Sequence, residues 1–216
     1  YRTNAQSRMF EEKLIRKNIP YKIIGSVNFY ARKEIKDLLA YMKTIDNGLD
    51  NIAVKRIINV PRRGIGAATI EKVDAYAINN GMSFYDALVR CEQIPGLERS
   101  CAKIMSFVSI IEGLRSRLYQ ENYNLTELID DILDATGYLK ELEEEGSDEA
   151  RERIANIDEL VNKLVTYADE AEEAPTLSGF LEEVALVSDI DSFDESEDYL
   201  VLMTLHSAKG LEFPYV

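Results

Sequence analysis

The stretch LVLMTLHSAKGLEFPYV, residues 200–216, decides how the chain is read. Its first four residues and the preceding Tyr199 form an apolar run of strand length, β-branched and aromatic enough to favour a strand over a helix. The run stops in Thr204, His206 (the only histidine of the chain), Ser207, Lys209 and Gly210. A loop at the carboxyl edge of a strand is where open α/β sheets bind ligands. A hydroxyl, an imidazole and an ammonium so close together suit phosphate oxygens, and Gly210 can take a positive φ. On physics alone, a surface turn with a stray histidine accounts for the run equally well.

The chain has 216 residues, 46% of them hydrophobic, which is enough for one domain with a real core, or one domain plus part of another. No stretch of about 18 apolar residues is present to span a membrane, and no secretory signal is visible at the start. The first residue is Tyr rather than Met, as expected of a segment of a longer protein. Cys91 and Cys101 are the only cysteines; they form no CxxC pair, and one histidine cannot complete a metal cage with them. Two reduced thiols in the helical core of an intracellular protein are therefore expected, and no metal site. The net charge of -14 is unevenly spread. Residues 1–80 carry 15 Lys/Arg against 8 Asp/Glu, a balance of +7, whereas residues 81–216 carry 10 against 31, a balance of -21. A phosphate-binding face belongs in the basic first third, while the acidic remainder repels DNA.

Asn4 is placed to cap a helix from Ala5 to about Lys17, and IPYKIIG (19–25) reads as a short strand between Pro20 and Gly25. ARKEIKDLLAYMKTI (31–45) is amphipathic, with Ile35, Leu38, Leu39 and Met42 on one face and the basic residues on the other. Asp50 caps a short helix through Ile58. Further helices are predicted near 68–79, 97–120, 125–135 and 137–145, then over 148–170 after Ser147 and 177–187 after Thr176. DIDSFDESED (189–198) reads as an acidic linker without regular structure. No internal repeat stands out. The fold is mainly α with a strand near each end; two such strands cannot form a stable sheet alone, so they either pair while leaning on helices or find partners elsewhere.

Residues 200–216 resemble motif V of superfamily 1 DNA helicases of the UvrD/PcrA/Rep kind. YRTNAQSRMFEEKL (1–14) resembles motif IV of the same enzymes, and GSVNFYARKEIKDLLAYMK (25–43) the segment after it. Order and spacing agree over essentially the whole chain. The resemblance implies a helical 2B-type domain at 28–195, flanked by parts of a RecA-like domain 2A, motif IV at 1–27 and motif V at 196–216. It also implies that Arg2, Asn4 and His206 hold single-stranded DNA, where donor side chains can meet phosphate oxygens. Without it, Arg2 and Asn4 would be read as a solvated charge and a helix cap. By the same resemblance Glu212 hydrogen-bonds the ribose of ATP, and Lys209 and Gly210 line the loop between nucleotide and DNA. The parent enzyme would use ATP and Mg2+ to move 3′ to 5′ along DNA and unwind it in replication or repair. Its partners would be single-stranded DNA, the duplex junction, domains 1A, 1B and the rest of 2A, and repair or replication proteins, in a cytoplasmic, nucleoid-associated setting without a membrane. A helical protein-interaction module, or part of an AddA/RecB-like helicase-nuclease, are the alternatives.

VPRRGIGAATIEKV (60–73) makes the best unaided case for a site. Gly64 and Gly66 flank Ile65 just before a helix whose first turn, Ala67 to Thr69, is small. Glycines admit a backbone close to phosphate, a helix N-terminus offers free N–H groups, and Arg62 and Arg63 add charge. The pattern resembles a helix-hairpin-helix grip, and the corresponding loop of the helicase family touches duplex ahead of the fork. A plain glycine-bearing turn between helices is the competing reading. No GxxxxGK[ST] loop, acidic Walker-B pair or arginine finger occurs within the chain. By itself, therefore, the chain is expected neither to hydrolyse ATP nor to hold a cofactor tightly. The acidic runs KELEEEGSDEARE (140–152) and YADEAEEA (167–174) read as solvated helix faces.

Overall fold

The computed structural model describes residues 10, 13, 14, 16, 17, 19–24, 29–171, 173–190, 199–203, 205 and 208–210. Two compact units result, one from Lys33 to Leu181 and one combining 1–32 with 182–216. The first is helical: α1 Lys33–Asp46, α2 Asn51–Ile57, α3 Ala67–Asn80, α4 Phe84–Val89, α5 Cys101–Leu118, α6 Leu128–Thr136, α7 Tyr138–Glu145, α8 Asp148–Glu170 and the start of α9 Leu177–Ile190. The second contains β1 Tyr21–Ile24 and β2 Leu200–Met203. The fold is mainly α with a minor pair of strands.

Several helix boundaries follow from local chemistry. The Asp50 carboxylate accepts from the amides of Ile52 and Ala53, each at 3.0 Å, and so starts α2. Ser147 accepts from Ala150 at the start of α8, and Thr176 from Gly179 at the start of α9. The α1 residues Ile35, Leu38, Leu39 and Met42 are buried, as their spacing predicts, but so are Glu34, Asp37, Tyr41 and Thr44. Helix α1 is wrapped by α2, α5, α6 and α8, which leaves only a narrow strip with Lys33, Lys36 and Lys43 exposed.

One helix is added to those predicted and three expectations are corrected. Helix α4, only six residues long, is too short to carry a period; burial of Phe84, Tyr85 and Leu88 and the Ser83 cap hold it. The helix expected from residue 97 begins at Cys101, because Pro95 and Gly96, with φ 78° at the glycine, turn the chain first. Asp189 and Ile190 belong to α9 rather than to an acidic linker, while 191–198 lie outside the described residues. Cys91 and Cys101 are not free thiols: they form a disulfide, because the intervening turn brings their Cα atoms to 5.6 Å. The expected N-terminal helix falls mostly outside the described residues, of which Phe10, Lys13, Leu14 and Arg16 are helical.

The two strands pair with each other, in parallel, with Tyr21 opposite Leu200 and Ile24 opposite Met203. The Leu200 amide extends the ladder by donating to the Pro20 carbonyl at 2.9 Å. Parallel partners need a long connection, and here the helical unit lies between them in sequence.

Within the helical unit a buried polar network ties distant segments together. The Asp37 side chain, 2% exposed, accepts from Arg56 Nε at 2.7 Å and from the Tyr138 hydroxyl at 3.0 Å. Glu34 accepts from Asn156 Nδ2 at 2.6 Å. Burial pushes the Asp37 carboxyl above its ordinary value, against the opposing pull of Arg56 and Tyr138. A carboxyl raised in this way contributes stability that is fully present below the ordinary carboxylate range and lost as pH rises through the raised value. Asp37→Ala is expected to cost about 2 kcal/mol in urea unfolding, since it strands the Tyr138 hydroxyl. The stability gap between wild type and Asp37→Asn should narrow as pH rises from about 4 to about 7.

Candidate nucleic-acid interface

The hairpin between α2 and α3, residues 58–66, is built on one asparagine and one arginine. Asn59 Oδ1 accepts from the amides of Arg63 at 2.9 Å and Ile65 at 3.1 Å, closing the loop from within. The Val60–Pro61 bond is cis. Gly64 is exposed with φ 69°, a conformation that favours glycine. Nothing lies within 4 Å of a Cβ built on Gly66, which caps α3 in extended geometry. The Thr69 and Ile70 amides turn back to the Gly66 carbonyl, leaving those of Ala67 and Ala68 without a partner among the described residues. The start of α3 is thus open and offers unused donors.

The two adjacent arginines have opposite fates. Arg62 is exposed. Arg63 turns inward: its Nη1 donates to the carbonyls of Ile57 and Val60, both at 3.0 Å, and Pro61 at 3.3 Å. Its Nη2 donates to the Tyr41 hydroxyl at 2.6 Å. The expectation that Arg63 faces duplex DNA is therefore corrected, because its guanidinium is engaged beneath the loop. Ile65 is likewise turned inward, 1% exposed, with its amide held by Asn59. Thr69 sits half-buried, its hydroxyl 3.3 Å from that of Ser100.

The Thr69–Ser100 contact marks a likeness invisible in the sequence. A second turn, through Gly96 and Leu97 into α5, lies beside the first. Lys103 on α5 donates to the Gly64 carbonyl at 3.2 Å, and Lys72 on α3 donates to the Gly96 carbonyl at 2.9 Å. Thr69, Lys72 and Val73 thus correspond to Ser100, Lys103 and Ile104, with both apolar members fully buried. Lys72, Arg99 and Lys103 are exposed, so the basic surface is broader than Arg62 and Arg63 alone. Glu71 and Glu98 are exposed in the same neighbourhood, and Glu98 accepts from the Gly96 amide at 3.0 Å. Hydrogen bonds from its own amide and from Gly96 hold the Glu98 carboxyl below its ordinary value. Lys103 is far in sequence from the stretch 60–73, and the role of Lys72 within it is not readable there; only the fold brings both to the glycines.

In the terminal unit, Lys209 and Gly210 are exposed in the turn 208–210, a few residues past β2, and Gly210 has φ 87°. Arg2, Asn4, His206 and Glu212 lie outside the described residues. Among the described residues, no group of three or more His, Cys, Asp or Glu could hold a metal ion, and no helix is long and apolar enough to cross a membrane.

A family model described as the UvrD-like helicase C-terminal domain matches residues 1–216. The chain belongs to that family. The ATP-dependent DNA helicase PcrA of Bacillus subtilis (strain 168) is 44% identical over 222 residues, covering 100% of this chain and 30% of that protein. PcrA proteins of Staphylococcus epidermidis (strain ATCC 12228 / FDA PCI 1200) and Staphylococcus aureus (strain NCTC 8325 / PS 47) are each 43% identical over 217 residues. Each match covers 100% of this chain and 29% of the relative. The chain therefore spans about 30% of the length of the curated relatives it matches.

For this UvrD-like chain, Asn59→Ala should cost about 1–2 kcal/mol and speed hydrogen exchange at the Arg63 and Ile65 amides, since both lose their acceptor. Gly64→Ala should cost about 1 kcal/mol through its positive φ alone. The crowding atom for its new Cβ is the mobile end of Lys103, at 2.7 Å. Thermal unfolding of both variants checks these values.

Proposed function

We propose that this chain is part of an ATP-dependent DNA helicase that unwinds duplex DNA in replication or repair, moving 3′ to 5′ in the bacterial cytoplasm on nucleoid DNA. The match to the UvrD-like family over residues 1–216 carries this reading. The helical unit acts as the 2B-type domain and the strand pair as part of RecA-like domain 2A. Domains 1A, 1B and the rest of 2A complete the motor, and repair or replication proteins are its further partners.

Within the chain, the hairpin grips duplex. Arg62 and Lys103 supply charge, Gly64 and Gly66 let the backbone approach, and the free amides at the start of α3 point at a phosphate. Arg63, Ile65 and Thr69 support the loop from beneath. The acidic remainder turns the duplex away from the rest of the surface and so favours one side of approach. Arg2, Asn4 and His206 would donate to the phosphates of the single strand. Bound Mg-ATP supplies the free energy of movement. Glu212 would accept from its ribose hydroxyls, with Lys209 and Gly210 between nucleotide and DNA, and the exposed turn 208–210 fits a ligand of that kind.

The test is binding to a duplex bearing a 3′ single-stranded tail at several salt concentrations. Wild type should bind and weaken steeply with salt. Arg62→Ala and Lys103→Ala should each weaken binding and lower the salt slope by about one. Gly66→Ala should leave thermal stability nearly unchanged, since its Cβ meets open space, yet weaken duplex binding. Absence of binding even at low salt would overturn the duplex reading and favour a protein-interaction module.

A further inference from the structure

We infer that Tyr41 and Arg63 form a positioning pair that sets the duplex-gripping hairpin without touching DNA; the inference rests on the duplex reading above. Tyr41, on α1, is fully buried, and its hydroxyl both accepts from Arg63 Nη2 and donates to the Val60 carbonyl. Burial pushes this phenol up to about 12, so the hydroxyl keeps its proton and remains a donor near neutral pH. The Arg63 guanidinium lies over the rings of Phe107, at 5.4 Å, and Tyr41, at 6.0 Å. On its other side it gathers carbonyls from the end of α2 and the beginning of the hairpin. A cation at a helix C-terminus is favoured by the converging carbonyl dipoles. One planar group thereby fastens the hairpin to α1 and α5.

The geometry separates this role from a general one in stability. Gly64, the exposed positive-φ residue, directly follows Arg63, whose amide is held by Asn59 and whose side chain is held by Tyr41. Loosening the fork therefore moves the glycines first. A lysine would keep the charge but bond through one point rather than a planar fork. Arg63→Lys is thus a test of geometry and not of charge.

The experiment uses the whole 216-residue chain and compares Tyr41→Phe, Arg63→Lys and the control Tyr138→Phe, which removes a buried hydroxyl bond remote from the hairpin, that to Asp37. Duplex affinity across salt and hydrogen exchange at residues 62–68 are read together. Tyr41→Phe, which removes the bonds to both Arg63 and Val60, should weaken duplex binding about fivefold, with an unchanged salt slope because no phosphate contact is lost. Arg63→Lys should weaken it at least as much despite its charge, and both should speed exchange at 63–66. Tyr138→Phe should do neither. Equal losses in Tyr41→Phe and Tyr138→Phe would reduce the effect to global stability and overturn the inference. Wild-type affinity in Arg63→Lys would do the same, by making Arg63 a replaceable charge. If the wild type binds and Tyr41→Phe binds as well, the inference alone fails; if the wild type does not bind, it falls together with the duplex reading.

Discussion

Burial of α1 on nearly every side is the constraint on which the helical unit depends. A helix wrapped by α2, α5, α6 and α8 leaves only its lysines to water, so each buried polar position must find a partner inside. Asp37 takes Arg56 and Tyr138, Glu34 takes Asn156, and Thr44 bonds back to the Ala40 carbonyl at 2.8 Å. The far end is closed from another helix. Arg115 of α5 donates to the Thr44 and Ile45 carbonyls at 2.8 and 2.9 Å, stacks over Tyr85 and pairs with Glu112. Apart from the local Thr44–Ala40 and Arg115–Glu112 contacts, these bonds join residues far apart in sequence, so they specify one arrangement of helices where apolar packing alone would tolerate several.

The hairpin draws on the same frame. Its outward chemistry (Arg62, Lys103 and the open backbone at Gly64 and Gly66) is cheap to present because its inward chemistry is satisfied. Asn59 closes the loop amides, Ile65 plugs the interior, and Arg63 holds the carbonyls. A loop whose backbone approaches a phosphate has to be held from beneath, with little side-chain bulk over its glycines. The two neighbouring arginines divide that work, one charged toward solvent and one structural.

The neighbouring turn at Gly96 extends this logic. Each hairpin glycine accepts from a lysine rooted in the other's helix, so the two turns brace each other and gather basic residues from segments well apart in sequence. The disulfide between Cys91 and Cys101 closes the loop that contains the second turn. The acidic balance of residues 81–216 gives this basic surface contrast.

Local chemistry was readable wherever one residue sets one boundary. Asp50, Ser147 and Thr176 cap their helices through their own side chains, the spacing of Ile35, Leu38, Leu39 and Met42 marks a buried face, and motif-like strings disclosed the family. Six residues at Phe84–Val89 were too few to show a period, and the spacing of Cys91 and Cys101 does not say whether they meet. The site was half legible. Glycines and arginines at 62–66 were seen, but which arginine faces out, the presence of Lys103 beside them, and the reach of Lys72 to Gly96 were not. Sequence by itself determined the helices, their caps and the family, because these depend on neighbours a few residues apart. Only the tertiary structure decided which charges are buried and which are offered, because that depends on what packs against each helix from elsewhere in the chain.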